Sequence, residues 1–158
     1  MRRAAIWTVV GASLTLAACG QGSSSTSQQA PAPPLTPAQV KTLVASLPAP
    51  YNTGDPEHGK AIFTQCAACH TTVQGGSNMT GPNLHGIFGR PVAHEAGFAY
   101  SDALKAQSFT WDAARIDTWI TNPRAMVPGT KMSFVGLRDA KDRQDVIAYL
   151  KGATSPAP

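Results

Sequence analysis

The sequence predicts an all-α domain in which two terminal helices cross, with short helices and long loops between them. Helix-capping residues start amphipathic segments at Asp55 and Asp139, near the two ends of this domain. Between these segments only short helices are predicted, near 101–106 and 112–121. Gly59 costs helix propensity in the first segment, and a close crossing of the two terminal helices would explain its presence.

The first 18 residues have the pattern of a secretory signal peptide. Arg2 and Arg3 precede a short apolar run, which ends in small residues just before Cys19. This run is too short for a comfortable membrane span. We therefore expect residues 1–18 to be removed during export.

The residues that end at Cys19, Leu16-Ala17-Ala18-Cys19, resemble the lipobox of bacterial lipoproteins. In that motif the cleavage falls just before the cysteine, and the cysteine thiol is then acylated. An ordinary signal peptide with an unrelated cysteine is the alternative. Acylation of Cys19 would anchor the chain at the periplasmic face of a bacterial membrane.

Residues 19–35 are predicted to be a lipidated cysteine followed by a flexible tether. The stretch 20–34 is built mainly from Ser, Gln, Gly, Ala and Pro and contains no charged or aromatic side chain. Such a segment cannot bury enough apolar surface to offset the chain entropy that folding removes. The tether therefore links the anchor to the folded part of the chain.

Residues 36–50 are predicted to hold a short amphipathic helix and a connector. Thr36 supplies an N-cap, Pro37 the first helical position and Gln39 the second half of a capping box. Apolar residues then recur at the spacing of one helical face, before Pro48 ends the helix: Val40, Leu43, Val44 and Leu47. We expect this helix to pack on its own domain, and docking to a partner is the alternative.

The main domain is predicted to cover residues 51–153. Its first helix follows Asp55, continues into Cys66 and has three residues on its buried face: Gly59, Ile62 and Phe63. Its last helix follows Asp139 and includes Val146, Ile147, Tyr149 and Leu150. Lys151 in the last turn and Gly152 just beyond it predict the end of this helix. Residues 154–158 are then predicted to form a disordered tail.

Residues 66–70, Cys-Ala-Ala-Cys-His, form the C-x-x-C-H attachment signature of c-type haem. The thiols of Cys66 and Cys69 can add to the haem vinyl groups, and His70 can bind the iron from the same turn. A structural zinc site would need two more ligands at finger-like spacing, and a thioredoxin-type dithiol would need a βαβ setting. Neither is present, so we expect one covalently attached haem c per chain.

A haem would also account for the long loops of the domain, because its apolar faces replace part of the missing core. Seven apolar or aromatic residues are candidates to pack against it, although ordinary core packing explains each of them equally well: Phe88, Phe98, Tyr100, Leu104, Trp111, Trp119 and Phe134.

The sixth iron ligand must come from elsewhere in the chain. Composition leaves six candidates open: Met79, Met126, Met132, His58, His85 and His94.

Charge argues against nucleic acid as a partner. The full chain carries 13 Lys and Arg against 9 Asp and Glu, a formal net charge of +4. Removal of Arg2 and Arg3 with the signal peptide lowers this charge to +2. Two haem propionates would cancel the remainder, so nucleic-acid binding is not expected.

From Gly54 onward the chain resembles the class I cytochromes c of the mitochondrial and alphaproteobacterial soluble type. The resemblance rests on blocks that occur in order: C-A-A-C-H at 66–70, T-G-P-N-L-H-G-I-F-G-R at 80–90, G-F-A-Y-S-D-A at 97–103, N-P at 122–123, P-G-T-K-M at 128–132 and D-V-I-A-Y-L at 145–150. It implies the class I cytochrome c fold, with crossed terminal helices around one covalently bound haem.

The resemblance also implies roles for single residues. The methionine of the P-G-T-K-M block, Met132, corresponds to the distal haem ligand, whereas Met126 and His94 have no such match. Pro82 corresponds to the proline whose carbonyl orients the proximal imidazole. Arg90 and Tyr100 correspond to residues near the propionates, and Trp111 corresponds to a buried tryptophan.

One departure from the resemblance concerns partner recognition. The mitochondrial members carry a lysine just before the first haem cysteine and a dense ring of lysines around the exposed haem edge. Here Gln65 precedes Cys66, and four basic residues remain near the expected edge: Lys60, Lys105, Arg124 and Lys131.

Ligation of the iron by His70 and Met132 would fill both axial positions and favour ferrous iron. We therefore expect a monomeric one-electron carrier that works with membrane redox complexes, namely a quinol-oxidising complex, a terminal oxidase or a dehydrogenase. A fixed electron-relay subunit of a dehydrogenase or oxidase is the first alternative. A haem peroxidase with an open distal site is the second, and a methionine ligand argues against it.

Overall fold

The computed structural model describes residues 34–156, which form an all-α structure. Its helices are α1 (Pro37–Ala45), α2 (Pro56–Ala67), α3 (Asp102–Lys105), α4 (Ala113–Thr121), α5 (Pro123–Met126) and α6 (Ala140–Thr154), with a 3₁₀ turn at Tyr51–Thr53. The predicted signal peptide, Cys19 and the tether up to residue 33 lie outside the described residues. Within residues 34–156, no helix combines the length and the apolar character that crossing a membrane requires.

The helices α2 and α6 are in contact, which confirms the predicted fold class. The Asp55 carboxylate caps α2 by accepting hydrogen bonds from the backbone N–H groups of Glu57 and His58, at 2.9 and 3.2 Å. Gly59 is buried, and a Cβ at this position would overlap the backbone carbonyl of Asp145 in α6. The close approach of the two helices therefore requires the glycine that the sequence places there.

The N-terminal helix α1 packs on its own domain, where it contacts α6. It begins with the predicted capping box, in which the Thr36 hydroxyl accepts from the Gln39 N–H and the Gln39 side chain accepts from the Thr36 N–H. The helix ends at Ala45, earlier than Pro48 predicts. Leu47 is buried all the same, so the apolar face continues into the connector.

The last helix, α6, extends further than predicted. The sequence places its end before Gly152 and assigns residue 154 to a disordered tail, whereas the helix continues to Thr154. Gly152 lies against α1, where a Cβ would be 2.9 Å from Val40 Cγ1. Thr154 is fully buried, and its backbone carbonyl accepts a 2.6 Å hydrogen bond from the Gly86 N–H. Packing against α1 and this loop overrides the local stop signal.

The predicted middle helices are observed as α3 and α4, and the side chains of Ser101 and Asp112 cap their N-termini. The short helix α5 is not predicted. The side-chain oxygen Oδ1 of Asn122 accepts a 3.1 Å hydrogen bond from the Ala125 N–H. Asn122 therefore caps α5 as well as ending α4. Pro123 suits the first position of a helix, because its missing N–H needs no partner there.

An antiparallel backbone pairing joins residues 89–92 to residues 109–111, and the sequence did not predict it. The Gly89 N–H donates to the Trp111 carbonyl at 2.8 Å, and the Trp111 N–H donates to the Arg90 carbonyl at 2.9 Å. This pairing fixes the backbone of Arg90 beside that of Trp111, although the two residues are 21 positions apart along the chain. Two residues with predicted site roles are thereby brought together.

A buried carboxylate, Asp145, joins α6 to the start of α2. It accepts hydrogen bonds from the Asp55 N–H at 2.7 Å, from His58 Nδ1 at 2.9 Å and from Lys141 Nζ. Burial by itself would raise the pKa of Asp145, but the hydrogen bonds from Lys141, Asp55 and His58 outweigh it and hold this pKa below its ordinary value. The hydrogen bond from Asp145 in turn raises the pKa of His58.

These two pKa shifts predict how stability depends on pH. Asp145 contributes stability above its unfolded pKa of 3.8, and the contribution is lost as the pH falls through the lower folded pKa. His58 contributes below 6.5, and its contribution is lost as the pH rises through the higher folded pKa. We expect Asp145→Asn to lower the free energy of unfolding of the holoprotein by about 1–3 kcal/mol at pH 5–6.

Denaturant titrations of the variant and the wild type at pH 3, 5.5 and 8 measure this effect. Asp142→Asn is the matched control in the same helix, because its carboxylate makes no hydrogen bond within the described range. If Asp142→Asn lowers the free energy of unfolding at pH 5.5 as much as Asp145→Asn does, the change in net charge is the cause, not the loss of the hydrogen bonds to Asp145.

Candidate functional site

A large cavity lies between the helices and loops of the domain. It has a volume of about 350 Å³, and most of its lining is apolar. Eight of the predicted site residues line it: Cys66, Cys69, His70, Pro82, Arg90, Tyr100, Trp111 and Met132. Six further residues of the lining matter below, namely the haem-packing candidates Phe98, Leu104, Trp119 and Phe134, together with His94 and Glu95. The predicted site is thus one continuous space.

The end of α2 delivers both cysteines and the histidine to this cavity. The Cys66 carbonyl accepts hydrogen bonds from the backbone N–H groups of Cys69 and His70, at 2.9 and 3.0 Å. This tight turn at the helix end orients the three side chains toward the same space. Cys66 and Cys69 are both half-buried free thiols, so neither is used in a disulfide.

The environment of Cys66 does not suit a redox dithiol. Burial, followed by the nearby Cys69, raises the pKa of Cys66 to about 11. A catalytic dithiol needs a thiolate, which requires a lowered pKa. A zinc site is equally unsuited, because no group of three or more His, Cys, Asp or Glu side chains that could hold a metal occurs within residues 34–156.

The imidazole of His70 is held by the loop that contains Pro82. His70 Nδ1 lies 2.7 Å from the Pro82 carbonyl oxygen. Because a carbonyl can only accept, the proton is on Nδ1, which leaves Nε2 with a free lone pair. Burial lowers the pKa of His70, and the bond to Pro82 only partly opposes this, so the ring is neutral as a metal ligand requires.

The same loop approaches the imidazole closely at Gly81. A Cβ on Gly81 would overlap the His70 ring, so a glycine is required there. The Gly81 N–H also donates to the Cys69 carbonyl at 2.9 Å. The T-G-P-N block therefore acts as a clamp on the turn that bears the cysteines and the histidine.

Among the six candidate distal ligands, Met132 and His94 line the cavity. The other four are placed elsewhere. Met79 is 48% exposed, and Met126 packs against the protein core. His58 is bonded to Asp145, and His85 Nδ1 lies 3.3 Å from the Thr72 carbonyl.

A polar group of three residues, Arg90, Glu95 and Tyr100, lines the same cavity. Arg90 Nη1 donates to Glu95 Oε2 at 2.8 Å and to the His85 carbonyl at 3.2 Å. The Glu95 N–H donates to the Tyr100 hydroxyl oxygen at 3.2 Å. Sequence reasoning selected Arg90 and Tyr100 but missed Glu95, because a loop residue five positions from Arg90 carries no periodic signal.

The aromatic wall of the cavity centres on Trp111, which is buried. Its ring contacts Phe109 and Trp119 edge-on, with centroid distances of 4.8 and 5.6 Å. For one of the haem-packing candidates, Phe88, the structure supports the alternative of ordinary core packing. Phe88 does not line the cavity but lies under Lys151, whose Nζ is 5.0 Å from the ring centroid, because the loop turns this side chain toward α6.

Comparison with known proteins bears directly on this geometry. Residues 56–154 match the family model described as cytochrome c. The chain belongs to the cytochrome c family. This match covers more than half of the sequence and includes the cysteine pair, His70 and Met132.

Individual family members agree with this assignment. The chain is 42% identical to cytochrome c of Kluyveromyces lactis over 105 residues, which cover 66% of this chain and 96% of that one. It is 47% identical to cytochrome c2 of Rhodoblastus acidophilus over 97 residues, covering 61% and 91%. Its structure resembles cytochrome cH from Methylobacterium extorquens, with a TM-score of 0.59 and 43% identity, over 62% of this chain and 98% of that chain.

The cofactor of this cytochrome is accordingly one covalently bound haem c. The residues present fit that group, because an apolar cavity is lined by two free thiols, an imidazole with a free Nε2 and a thioether. When bound, the haem supplies an iron that cycles between the ferrous and ferric states. The protein is an electron carrier of the cytochrome c type, not an enzyme, and its partners are redox complexes.

Proposed function

We propose that this cytochrome carries single electrons with an iron held by His70 and Met132, on a haem attached through Cys66 and Cys69. One observation supports this proposal above the others: Met132 lines the same cavity as the cysteines and His70. The Pro82 carbonyl orients the proximal ring, and the backbone at Gly81 packs closely against it. Arg90 and Tyr100 are assigned to the propionates, and Trp111 to the apolar wall.

We propose further that the carrier works at the periplasmic face of a bacterial membrane, anchored by an acylated Cys19. The Leu-Ala-Ala-Cys sequence supports this, together with the uncharged stretch that follows it. Its partners would be a quinol-oxidising complex and a terminal oxidase or dehydrogenase. Because α1 packs on α6, we infer that this helix holds the tether to the domain and is not a separate docking element.

The anchor would replace long-range electrostatic steering as the means of recruitment. A flexible segment of about 15 residues has a root-mean-square reach of roughly 20 Å. Confinement to such a layer raises the effective concentration near a membrane-bound partner without any new contact. Steering by charge, in contrast, would need the basic face that this chain has largely lost.

We expect removal of the anchor by Cys19→Ser to lower turnover with native membranes on the order of tenfold or more. Neutralising the exposed Lys60 and Lys131 together should lower this turnover by a smaller factor than removal of the anchor does. Oxidase turnover, measured with anchored and anchorless protein at 50 and 200 mM salt, tests both statements. Labelled fatty acid reports acylation directly.

Two outcomes would contradict the proposal. Retention of the lipid label on Cys19→Ser would remove the lipoprotein assignment. If salt alone suppresses the anchored protein as strongly as anchor removal does, a basic docking patch recruits the partner instead. If the cytochrome is isolated in a stoichiometric complex with a dehydrogenase or oxidase, it is better explained as a fixed relay subunit than as a carrier that moves between complexes.

A further inference from the structure

The cavity lining contains one carboxylate whose role the family assignment leaves open, Glu95. Its Oε2 accepts a 2.8 Å hydrogen bond from Arg90 Nη1. The side chains of Glu95 and Arg90 are only 22% and 36% exposed, so this ion pair is partly withdrawn from water. Solvent therefore screens it less than it screens a surface pair.

The backbone holds both partners in place. The Glu95 N–H donates to the Tyr100 hydroxyl oxygen at 3.2 Å, and the Arg90 carbonyl accepts from the Trp111 N–H at 2.9 Å. Arg90 also donates from Nη1 to the His85 carbonyl at 3.2 Å. The carboxylate is therefore positioned beside the cavity by contacts on both sides of the ion pair.

We propose that Glu95 is a positioning residue that lowers the reduction potential of this cytochrome by acting through Arg90. Oxidation adds one positive charge to the haem, and a fixed negative charge beside the cavity favours the oxidised state. If Arg90 also binds a haem propionate, as proposed, Glu95 would compete with the propionate for the N–H donors of Arg90. The negative charge of the propionate would then be less fully compensated, which again favours the oxidised state. This inference rests on the proposed placement of the haem beside Arg90.

Equilibrium redox titration of holoprotein carrying Glu95→Gln tests the inference. Gln keeps the size of the side chain and removes its charge. We expect the ratio of ferrous to ferric protein at a fixed ambient potential to rise on the order of tenfold, from loss of one charge at short range. A tenfold change corresponds to about 59 mV for a one-electron couple.

Three controls separate a local charge effect from other causes. Glu57→Gln removes the same charge from an exposed position in the first turn of α2, outside the cavity lining, and should shift the potential much less. Glu95→Asp keeps the charge and should remain closer to the wild type than Glu95→Gln does. In 1 M salt, where the Debye length is about 3 Å, most of the Glu95→Gln shift should persist.

An unchanged potential in Glu95→Gln, or an equal shift in Glu57→Gln, would overturn the inference. The ferric absorption band from methionine sulfur to iron reports separately on the proposed ligation. If the wild type shows this band while Glu95→Gln titrates like the wild type, the Glu95 inference fails and the ligand assignment stands. If the wild type lacks the band, the Met132 assignment fails, and the titration still decides the role of Glu95.

Discussion

Replacement of both Cys66 and Cys69 by Ser is expected to leave the domain largely unfolded. The cysteines line a cavity of about 350 Å³, which the attached haem would fill in the proposed site. At roughly 24 cal/mol per Å³ of unfilled core, a void of this size costs on the order of 8 kcal/mol. The stability of a whole domain is about 5–15 kcal/mol, so the loss is comparable to the total.

Thermal melting followed by circular dichroism, together with protease resistance, measures this outcome. Single Cys66→Ser and Cys69→Ser variants are the matched controls, because each keeps one thioether bond and so retains the haem. We expect both single variants to melt cooperatively below the wild-type temperature. A cooperatively melting, protease-resistant double variant without haem would show that the protein core is sufficient by itself.

Met132→Ala is expected to give folded holoprotein with a vacated or water-ligated axial position, a lowered potential and new peroxidase activity. The thioether favours ferrous iron, so its loss shifts the equilibrium toward the ferric state. Met132 is half-buried, and its backbone N–H donates a 3.2 Å hydrogen bond to the Thr130 hydroxyl oxygen, which stabilises the loop. Truncation should therefore open the site without unfolding the loop.

The sulfur-to-iron band of the ferric protein measures the ligand directly. Met126→Ala is the matched control, because Met126 packs against the core and does not line the cavity. It should retain the band. Retention of the band in Met132→Ala would show that Met132 is not the ligand. His94→Ala distinguishes the other candidate in the cavity, because it should leave the band unchanged if Met132 is the ligand.

Local signals explain the parts of this protein that the sequence predicts well. The caps at Thr36, Asp55 and Asp139 act within one helical turn, and each begins the helix that follows it. The C-x-x-C-H motif is equally local, since one turn at the end of α2 delivers its three side chains. Gly59 predicted the helix crossing because a glycine within a helix needs a packing reason.

Distant contacts decided the remainder. The sequence predicts that the last helix ends before Gly152 and that a tail begins at Thr154. Both residues belong to α6, because Gly152 packs against Val40 and the Thr154 carbonyl accepts a hydrogen bond from the Gly86 N–H.

The neighbours of Arg90 were also decided by the tertiary structure. The backbone pairing that places Arg90 beside Trp111, and the ion pair that joins it to Glu95, depend on loops whose sequences carry no period. The sequence by itself therefore determined which residues we propose as the haem attachment site, because that chemistry lies within five consecutive positions. Only the tertiary structure decided which charges surround the cavity, because those side chains meet through the folding of long loops.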